Sequence, residues 1–333
     1  MTVAEFHRDL SPPLRFLVRV LTRAIPTLAG VIIVSFVLLK SLHGDAVDVM
    51  ASQMGTTDTT EIAKWRHDLG LDQSTGRQLL NYIVNLARFN FGYSYIYNTP
   101  VANLIAQRLP ATVLLAVTSF VIALSTGILA GVASAYSRGG ITDKLISLAL
   151  LFLYSVPAFC VGLTLIEIFV VRLGWLPLGD AQTLGIDLSG AALIGDRLRH
   201  LVLPAATLSL FYTAIYGRLV RASMLEVRHQ DYIKTAVAKG LHSRTVVWKH
   251  MLRNALLPIT AVAGNHIGAM LGGAVTVETV FNWPGLGRLA FEAVMKRDFT
   301  VLLAILVLSA MFAVIANIVV DLVHAWIDPR IEY

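Results

Sequence analysis

The sequence predicts an all-α membrane protein with six transmembrane helices. Of its 333 residues, 56% are apolar and only 14% are charged. The mean hydropathy of +0.68 is far above that of ordinary soluble domains. Apolar runs of about twenty residues, the length that a helix needs to cross the hydrocarbon core, occur six times. They cover residues 16–39, 113–135, 145–171, 201–217, 257–280 and 301–327.

The fourth run is the least apolar of the six. It contains one proline near its start and several polar residues further along, namely Pro204, Thr207, Ser209, Tyr212 and Thr213. We count it as a span because a five-helix arrangement would place the flanking loops on sides that disagree with their charge.

Basic residues near the ends of the apolar runs predict the orientation, because cytoplasmic loops carry an excess of lysine and arginine. They cluster around the start of the first run and after the fourth: Arg8, Arg15, Arg19, Arg23, Arg218, Arg221, Arg228, Lys234, Lys239, Arg244, Lys249 and Arg253. Both regions are therefore expected in the cytoplasm, and six crossings then place both chain ends there. The formal net charge of +6 reflects these residues and does not indicate nucleic-acid binding.

Residues 40–111, between the first two runs, are too polar to cross a membrane and too numerous for a turn. They are expected to form an outer-face module. Within it, residues 60–71 and 78–89 predict short amphipathic helices lying on or above the membrane. The first run resembles a secretory signal, but its length and the lack of a small-residue cleavage site favour a retained anchor.

Motifs for catalysis and nucleotide binding are missing from the sequence. It contains no Gly-x4-Gly-Lys-Ser/Thr loop, His-Glu-x-x-His helix, Cys-x-x-Cys pair or Gly-x-Ser-x-Gly elbow. The single cysteine, Cys160, lies within the third apolar run, where packing is its usual role. We therefore expect a protein that is not an enzyme and that holds no metal or cofactor. Energy for uphill transport would come from a partner or an ion.

The stretch 231–258 is a basic loop between the fourth and fifth runs, punctuated by alanine and glycine. Gly240 permits the tight or left-handed turn that ends a short helix, and small residues such as Ala236 let another surface approach closely. These features predict a short helix parallel to the membrane, presented to a cytosolic groove. A merely solvated basic loop fits the composition equally well.

Two motifs in this stretch read Asp231-Tyr232-Ile233-x-Thr235-Ala236-x-Ala238-Lys239-Gly240-Leu241 and His250-x-Leu252-Arg253-Asn254-Ala255-Leu256-Leu257-Pro258. They resemble the signature of the dipeptide, oligopeptide and nickel permeases of binding-protein-dependent ABC importers. Segments at 69–73, 108–112, 174–177, 278–287 and 328–330 match the family pattern in order. The chain is similar to the permease subunit with the larger outer loop, and it departs from the pattern at 42–46 and 89–92 within that loop.

The resemblance implies the type I ABC importer permease fold in a multi-pass protein of the bacterial inner membrane. It implies a coupling helix that docks on an ATPase subunit, a role carried over to Tyr232, Thr235, Ala236, Gly240 and Leu241. The implied partners are a second homologous permease subunit, two ATPase subunits that bind ATP and magnesium, an extracytoplasmic substrate-binding protein and membrane lipid.

The expected division of the chain follows the same resemblance. The N-terminal tail and first helix take residues 1–39, and the outer module takes 40–111. The core permease domain takes 112–327, with its cytoplasmic coupling loop at 218–256, and a cytoplasmic tail takes 328–333.

The fifth run carries glycines at intervals of four residues, which share one helical face: Gly264, Gly268 and Gly272. This face either packs within the subunit or forms the seam with a second permease subunit. Asn265 and His266 beside it are candidates for the translocation pathway or for an interhelical hydrogen bond. Glu278, in a matching motif, is a further pathway candidate that is expected to shape the outer gate.

Two other acidic residues lie near apolar runs, Glu167 and Asp321. Glu167 is expected to pair with a basic residue of a neighbouring helix, or to favour cationic cargo.

Two other classes of membrane protein were compared with the sequence. A secondary transporter would show internal repeats and acidic residues deep inside several spans, and a membrane enzyme would show a clustered nucleophile or metal set. Neither pattern is evident in the sequence. The resemblance implies import of di- or oligopeptides, with nickel or another metal chelate, glutathione or a sugar as alternatives.

Overall fold

The computed structural model describes residues 12–41, 47–48, 51, 55, 58–68 and 70–327, which are predominantly helical. The chain divides into two compact units. Among the described residues, the first unit takes those of Met1–Arg108 and Leu289–Ile318, and the second takes those of Leu109–Arg288 and Val319–Asp328.

The first unit contains most of the segment expected to form the outer module. Helices α1 (Pro12–Ser41), α2 (Thr59–Asp68) and α3 (Thr75–Ala87) precede a small antiparallel hairpin of β1 (Tyr93–Ser94) and β2 (Thr99–Pro100). Helices α2 and α3 correspond to the two short helices predicted from the sequence. Helix α3 packs against α1, where the rings of Tyr82 and Phe36 lie 6.0 Å apart.

The hairpin is held by polar contacts to a later part of the same unit. The Ser94 hydroxyl donates a hydrogen bond to Asp298, and the Tyr97 hydroxyl donates one to Glu292 over 2.9 Å. The Lys296 ammonium lies 4.4 Å from the centre of the Tyr97 ring. Burial raises the pKa of Tyr97 to about 12, and the hydrogen bond to Glu292 acts in the same direction. Tyr97 therefore stays protonated at neutral pH and keeps its donor.

The long helices follow. Two π-helical turns interrupt them: Glu167–Arg172 continues α6, and Val246–Met251 joins α9 to α10. The helices are α4 (Val101–Tyr136), α5 (Ile141–Ser155), α6 (Ala158–Ile166), α7 (Gly190–Val227), α8 (Asp231–Ala238), α9 (Ser243–Thr245), α10 (Leu252–Ala255), α11 (Leu257–Gly273), α12 (Val275–Val280), α13 (Leu286–Met295) and α14 (Phe299–Ile327).

Within the described residues, three segments are long and apolar enough to cross a membrane: Val101–Tyr136, Gly190–Val227 and Phe299–Val319. The first apolar run lies in α1, whose described apolar stretch Ala24–Leu38 is shorter. The fifth run is divided between α11 and α12. A helical membrane protein is confirmed, and the count of six spans stays a prediction.

The third run differs from the single helix that its length predicted. It forms α5 and then α6 with its π-helical turn, and the two parts are bent by 102°. The cause lies in the sequence between them. Proline disfavours the helical conformation of the preceding residue and lacks an N–H. Val156, just before Pro157, accordingly adopts φ −82° and ψ 128°.

Helix α7 packs against α5, α6, α10, α11 and α12, at the centre of the second unit. Its hydroxyl-bearing residues Thr207, Ser209 and Thr213 are buried. Thr207 and Ser209 donate to carbonyls of the preceding turn, and Thr213 lies within hydrogen-bond distance, 2.8 Å, of Thr126 on α4. The low apolarity of the fourth run is thus explained, because protein covers most of this helix, including these hydroxyl groups.

Candidate functional site

Helices α4 and α7 cross at glycines that let their backbones touch. A Cβ atom at Gly131 would lie 2.6 Å from the carbonyl oxygen of Gly217, and one at Gly127 would lie 2.7 Å from Cβ of Tyr216. Any larger residue would push the helices apart. The signal for this crossing is present in the sequence as a Gly-x-x-x-Gly spacing within an apolar run. The glycines of α11 were nevertheless the ones predicted to form a seam.

The predicted seam glycines lie together in α11. Gly264 and Gly268 are buried, and the surroundings of Gly272 lie outside the described part of the structure. Burial within one chain fits packing inside the subunit. The contact with a second permease subunit stays a prediction.

His266 of α11 faces two tyrosines of α7. Its ring centre lies 5.1 Å from that of Tyr212 and 5.6 Å from that of Tyr216. The Nδ1 atom is 3.3 Å from the Tyr216 hydroxyl, which is within hydrogen-bond distance. The interhelical hydrogen bond considered for His266 is therefore formed, while its ring stays half-buried. Asn265 lies in the same helix, and its side chain is outside the description.

Glu278 of α12 is fully buried, and both carboxylate oxygens accept hydrogen bonds. The Thr112 hydroxyl donates to one oxygen over 2.7 Å, and the backbone N–H of Arg288 donates to the other over 2.9 Å. Thr112 in turn accepts from the backbone N–H of Leu286 over 2.7 Å. The carboxylate thereby ties α12 to α4 and to the first residues of α13. Gly285 leaves room for it, because a Cβ atom there would overlap the carboxylate.

The rest of the 278–287 motif is anchored in the same unit. The Trp283 indole donates a hydrogen bond to the carbonyl oxygen of Ala111 over 2.9 Å. Asn282 donates through its side-chain amide to Asp180, and the Asp180 N–H donates to the carbonyl oxygen of Phe281 over 3.0 Å. The loop that follows α6 is thus fastened to this motif by side-chain and backbone bonds.

Replacing Trp283 with phenylalanine should lower the free energy of unfolding by about 1–3 kcal/mol, because a buried hydrogen bond and part of a buried ring are lost. Thermal denaturation of the purified protein measures this. Trp175→Phe is the matched control, because Trp175 is 65% exposed, and its effect should stay within about 0.5 kcal/mol. Equal losses in the two variants would contradict the anchoring role of Trp283.

The predicted short helix is α8, and its C-terminus forms a Schellman motif. The N–H of Gly240 donates to the carbonyl oxygen of Val237 over 2.9 Å, and the N–H of Leu241 donates to that of Ala236 over 3.3 Å. Gly240 has φ +73°, in the left-handed region where residues with a Cβ atom are disfavoured. The turn expected at Gly240 is therefore confirmed.

Helix α8 has one buried face and one exposed face. Ile233 and Ala236 are buried in the same cluster as Val246, Val247 and Met251. On the exposed side, Tyr232, Val237 and Leu241 are 42%, 60% and 41% accessible, and Thr235 is also exposed. Of the residues carried over for docking, Ala236 therefore faces the chain's own core and the other four lie at the surface.

A further hydrogen bond fixes the position of α8. The Asn254 amide on α10 donates to the Tyr232 hydroxyl over 2.7 Å. The Tyr232 ring thus stays exposed while its hydroxyl is held.

Glu167 and Asp321 are the other two acidic residues that lie near apolar runs. Glu167 pairs with Arg172 over 3.0 Å, within its own π-helical turn rather than with a neighbouring helix. The wider spacing of a π-turn brings residues five apart onto one face, and this replaces the expected interhelical pair. Asp321 lies in α14, and its side chain is outside the description.

The long apolar helices define a helical membrane protein. Comparison with known families shows that the chain belongs to a family of membrane transport subunits. The family described as "Binding-protein-dependent transport system inner membrane component" matches residues 127–333. Its N-terminal counterpart, "Binding-prot-dependent transport system membrane comp, N-term", matches residues 13–116. The protein is accordingly a multi-pass bacterial inner-membrane permease of an ABC transporter, which works with other components of that transporter.

Curated relatives resemble nearly the whole chain. The oligopeptide transport system permease protein AppB of Bacillus subtilis (strain 168) is 38% identical and covers 96% of this chain and 99% of its own. The same figures hold for the di/tripeptide permease protein DppB of Pseudomonas aeruginosa (strain UCBPP-PA14). They hold also for the glutathione permease protein GsiC of Escherichia coli (strain K12).

Solved structures share the fold at lower identity. A chain of the MetNI methionine ABC transporter in an inward-facing conformation superposes with a TM-score of 0.55 at 18% identity, covering 68% of this chain and 96% of that chain. A chain of an amino acid ABC transporter with histidines gives a TM-score of 0.51 at 15% identity, covering 67% and 94%. The expected ABC importer permease fold is therefore confirmed.

Proposed function

We propose that this permease forms half of the translocation pathway of a binding-protein-dependent importer for di- and oligopeptides. The names of the curated relatives at 38% identity support this cargo. The glutathione permeases at the same identity keep a modified tripeptide as one alternative. Nickel or another metal chelate and a sugar are the others, because in this family selection rests largely on the separate binding protein.

The observation that carries the mechanism is the two-sided helix α8. Its buried face fastens it to the chain's own core, while Tyr232, Val237 and Leu241 leave apolar surface in the open. Exposed apolar side chains on a helix that is rigidly held are suited to a groove of another protein. The occupant that we propose is an ATPase subunit, one bound to each of the two permease subunits.

Transport then proceeds by alternating access. A substrate-binding protein delivers cargo to the outer face, the ATPases bind ATP and magnesium and close, and α8 transfers that movement to the permease pair. The basic residues around α8 support a cytoplasmic position for this helix and for both chain ends. His266, half-buried beside two tyrosines, is a candidate to line the pathway with Asn265. The buried Glu278 shapes the expected outer gate by tying α12 to α4 and to the start of α13.

Docking at α8 is tested by charging its exposed apolar surface. Val237→Asp and Leu241→Asp should each reduce co-purification of the ATPase at least about tenfold, because a carboxylate would be buried unpaired in the groove. Leu184→Asp is the matched control, because Leu184 is 74% exposed and is distant from α8 in sequence. It should leave the complex intact. Retention of the ATPase by both α8 variants at normal permease levels would refute this docking surface.

The cargo is tested separately on the cognate binding protein. Short peptides, glutathione and chelated nickel are offered in binding measurements, and competition with peptide uptake is measured in cells. Tight binding of chelated nickel with no response to peptides would replace the proposed cargo and leave the docking proposal untouched.

A further inference from the structure

A buried carboxylate near the start of α5 gathers a set of donors from several segments. Asp143 is 4% exposed and is bound bidentately by Arg221 of α7, with Nε to Oδ1 at 2.8 Å and Nη2 to Oδ2 at 2.9 Å. The Ser134 hydroxyl on α4 donates over 2.5 Å, and the backbone N–H of Gly139 donates over 2.9 Å. Ser147 adds a longer contact at 3.4 Å. The carboxylate thus joins α4, the turn after it, α5 and α7.

Arg221 lies close in sequence to the helix proposed to dock on the ATPase. Helix α7 ends at Val227, and α8 begins at Asp231. The buried face of α8 belongs to the same apolar cluster as Val220 and Met224, which flank Arg221 on α7. A displacement of α8 therefore acts on a packed cluster whose α7 members, Val220 and Met224, flank the arginine.

The contacts next to this cluster have a different character. One helical turn from this cluster, α4 and α7 meet through glycines, with Gly131 of α4 against Gly217 of α7. These are van der Waals contacts between the backbone and small apolar groups. A bidentate guanidinium–carboxylate pair fixes both distance and orientation, and parting it would leave a buried charge without its partner.

We propose that Asp143 and Arg221 are positioning residues that make the α4–α5 turn move with α8 during transport. The inference rests on the proposed docking of an ATPase at α8. Movement imposed there reaches α7 through the chain itself, and the pair passes it to α4 and α5. Because the pair links helices of this chain to one another, its loss should separate ATP hydrolysis from uptake.

The test uses the complete transporter in proteoliposomes with its binding protein and a peptide substrate. Asp143→Asn should lower the uptake per ATP hydrolysed about tenfold, a typical coupling strength between two sites, while the ATPase still co-purifies. Asp48→Asn is the matched control, because it makes the same chemical change in an ion pair with Arg66 that is exposed. It should leave the ratio unchanged.

Two further variants separate coupling from folding. Ser134→Ala removes one donor to Asp143 and should lower the same ratio by a smaller factor. Arg221→Lys keeps the positive charge but loses the bidentate contact. The double variant with Asp143→Asn should show an uptake per ATP no lower than that of the poorer single variant, as expected for residues that act through one contact.

Several results would overturn the pair's role. Parallel loss of uptake and ATP hydrolysis at an unchanged ratio in Asp143→Asn would mean that the pair only stabilises the fold. If that variant fails to accumulate, a wild-type ratio in Ser134→Ala is decisive against the proposal. Retention of the ATPase by the charged α8 variants would instead refute the docking site, so the two failures are distinguishable.

Discussion

Replacing Gly240 with valine should reduce peptide uptake at least about tenfold while the permease still inserts into the membrane. Gly240 has φ +73°, and a β-branched residue in this region costs about 1–3 kcal/mol. A strain of about 1.4 kcal/mol corresponds to a tenfold change in the equilibrium constant between the docking-competent turn and its alternatives. The Schellman bonds of Gly240 and Leu241 would open, and the exposed Leu241 side chain would leave its position beside α8.

Two substitutions serve as controls for this result. Gly240→Asn should retain most of the uptake, because asparagine tolerates the left-handed conformation. Gly195→Val places the same residue at a helical glycine of the same unit, where a Cβ atom meets nothing within 4 Å, and it should transport nearly normally. Uptake and ATP hydrolysis are measured together at matched protein levels. Full uptake by Gly240→Val would show that the geometry of this turn is dispensable.

Replacing Glu278 with alanine should destabilise the permease by about 3–5 kcal/mol, because two buried donors lose a carboxylate acceptor and a cavity remains. The donors are the Thr112 hydroxyl and the backbone N–H of Arg288. Since Thr112 also accepts from Leu286, the loss spreads from α12 to α4 and α13. Little folded protein and no measurable uptake are expected.

Glu278→Gln separates the effect of losing a carboxylate acceptor from the effect of losing side-chain volume. Glutamine fills the same space, but its amide nitrogen would face one of the two donors, so a smaller loss of about 1–3 kcal/mol is expected. Thermal denaturation of the purified transporter orders the variants, with the exposed Glu226→Ala expected within about 0.5 kcal/mol of the wild type. A Glu278→Ala protein as stable as Glu226→Ala would rule out the tie between α12, α4 and α13.

Much of the candidate site could be read from the sequence because its signals are local. The helix at 231–238 and the turn at Gly240 depend on consecutive residues, and both are present. The break in the third run also has a local cause, because Pro157 disfavours a helix at the residue before it. The length of the run nevertheless led to the prediction of one helix. The glycine crossing at 127 and 131 was also readable from its spacing.

Burial direction was harder to predict for α8. Ala236 is small and was expected to let a partner approach, but the helix turns it toward Val246, Val247 and Met251. Its neighbours Val237 and Leu241 lie outside instead. A helical pattern shows which residues share a face, and only packing shows which face is already occupied.

The sequence by itself determined the membrane class, the family signature and the helix whose C-terminal turn contains Gly240, because hydropathy and capping depend on residues adjacent along the chain. Only the tertiary structure decided that Asp143 meets Arg221, 78 positions away, and that Glu278 meets Thr112, 166 positions away. Such pairs form where helices pack, and no rule of local spacing links residues so distant along the chain. A buried carboxylate takes whichever donors the fold brings within about 3 Å.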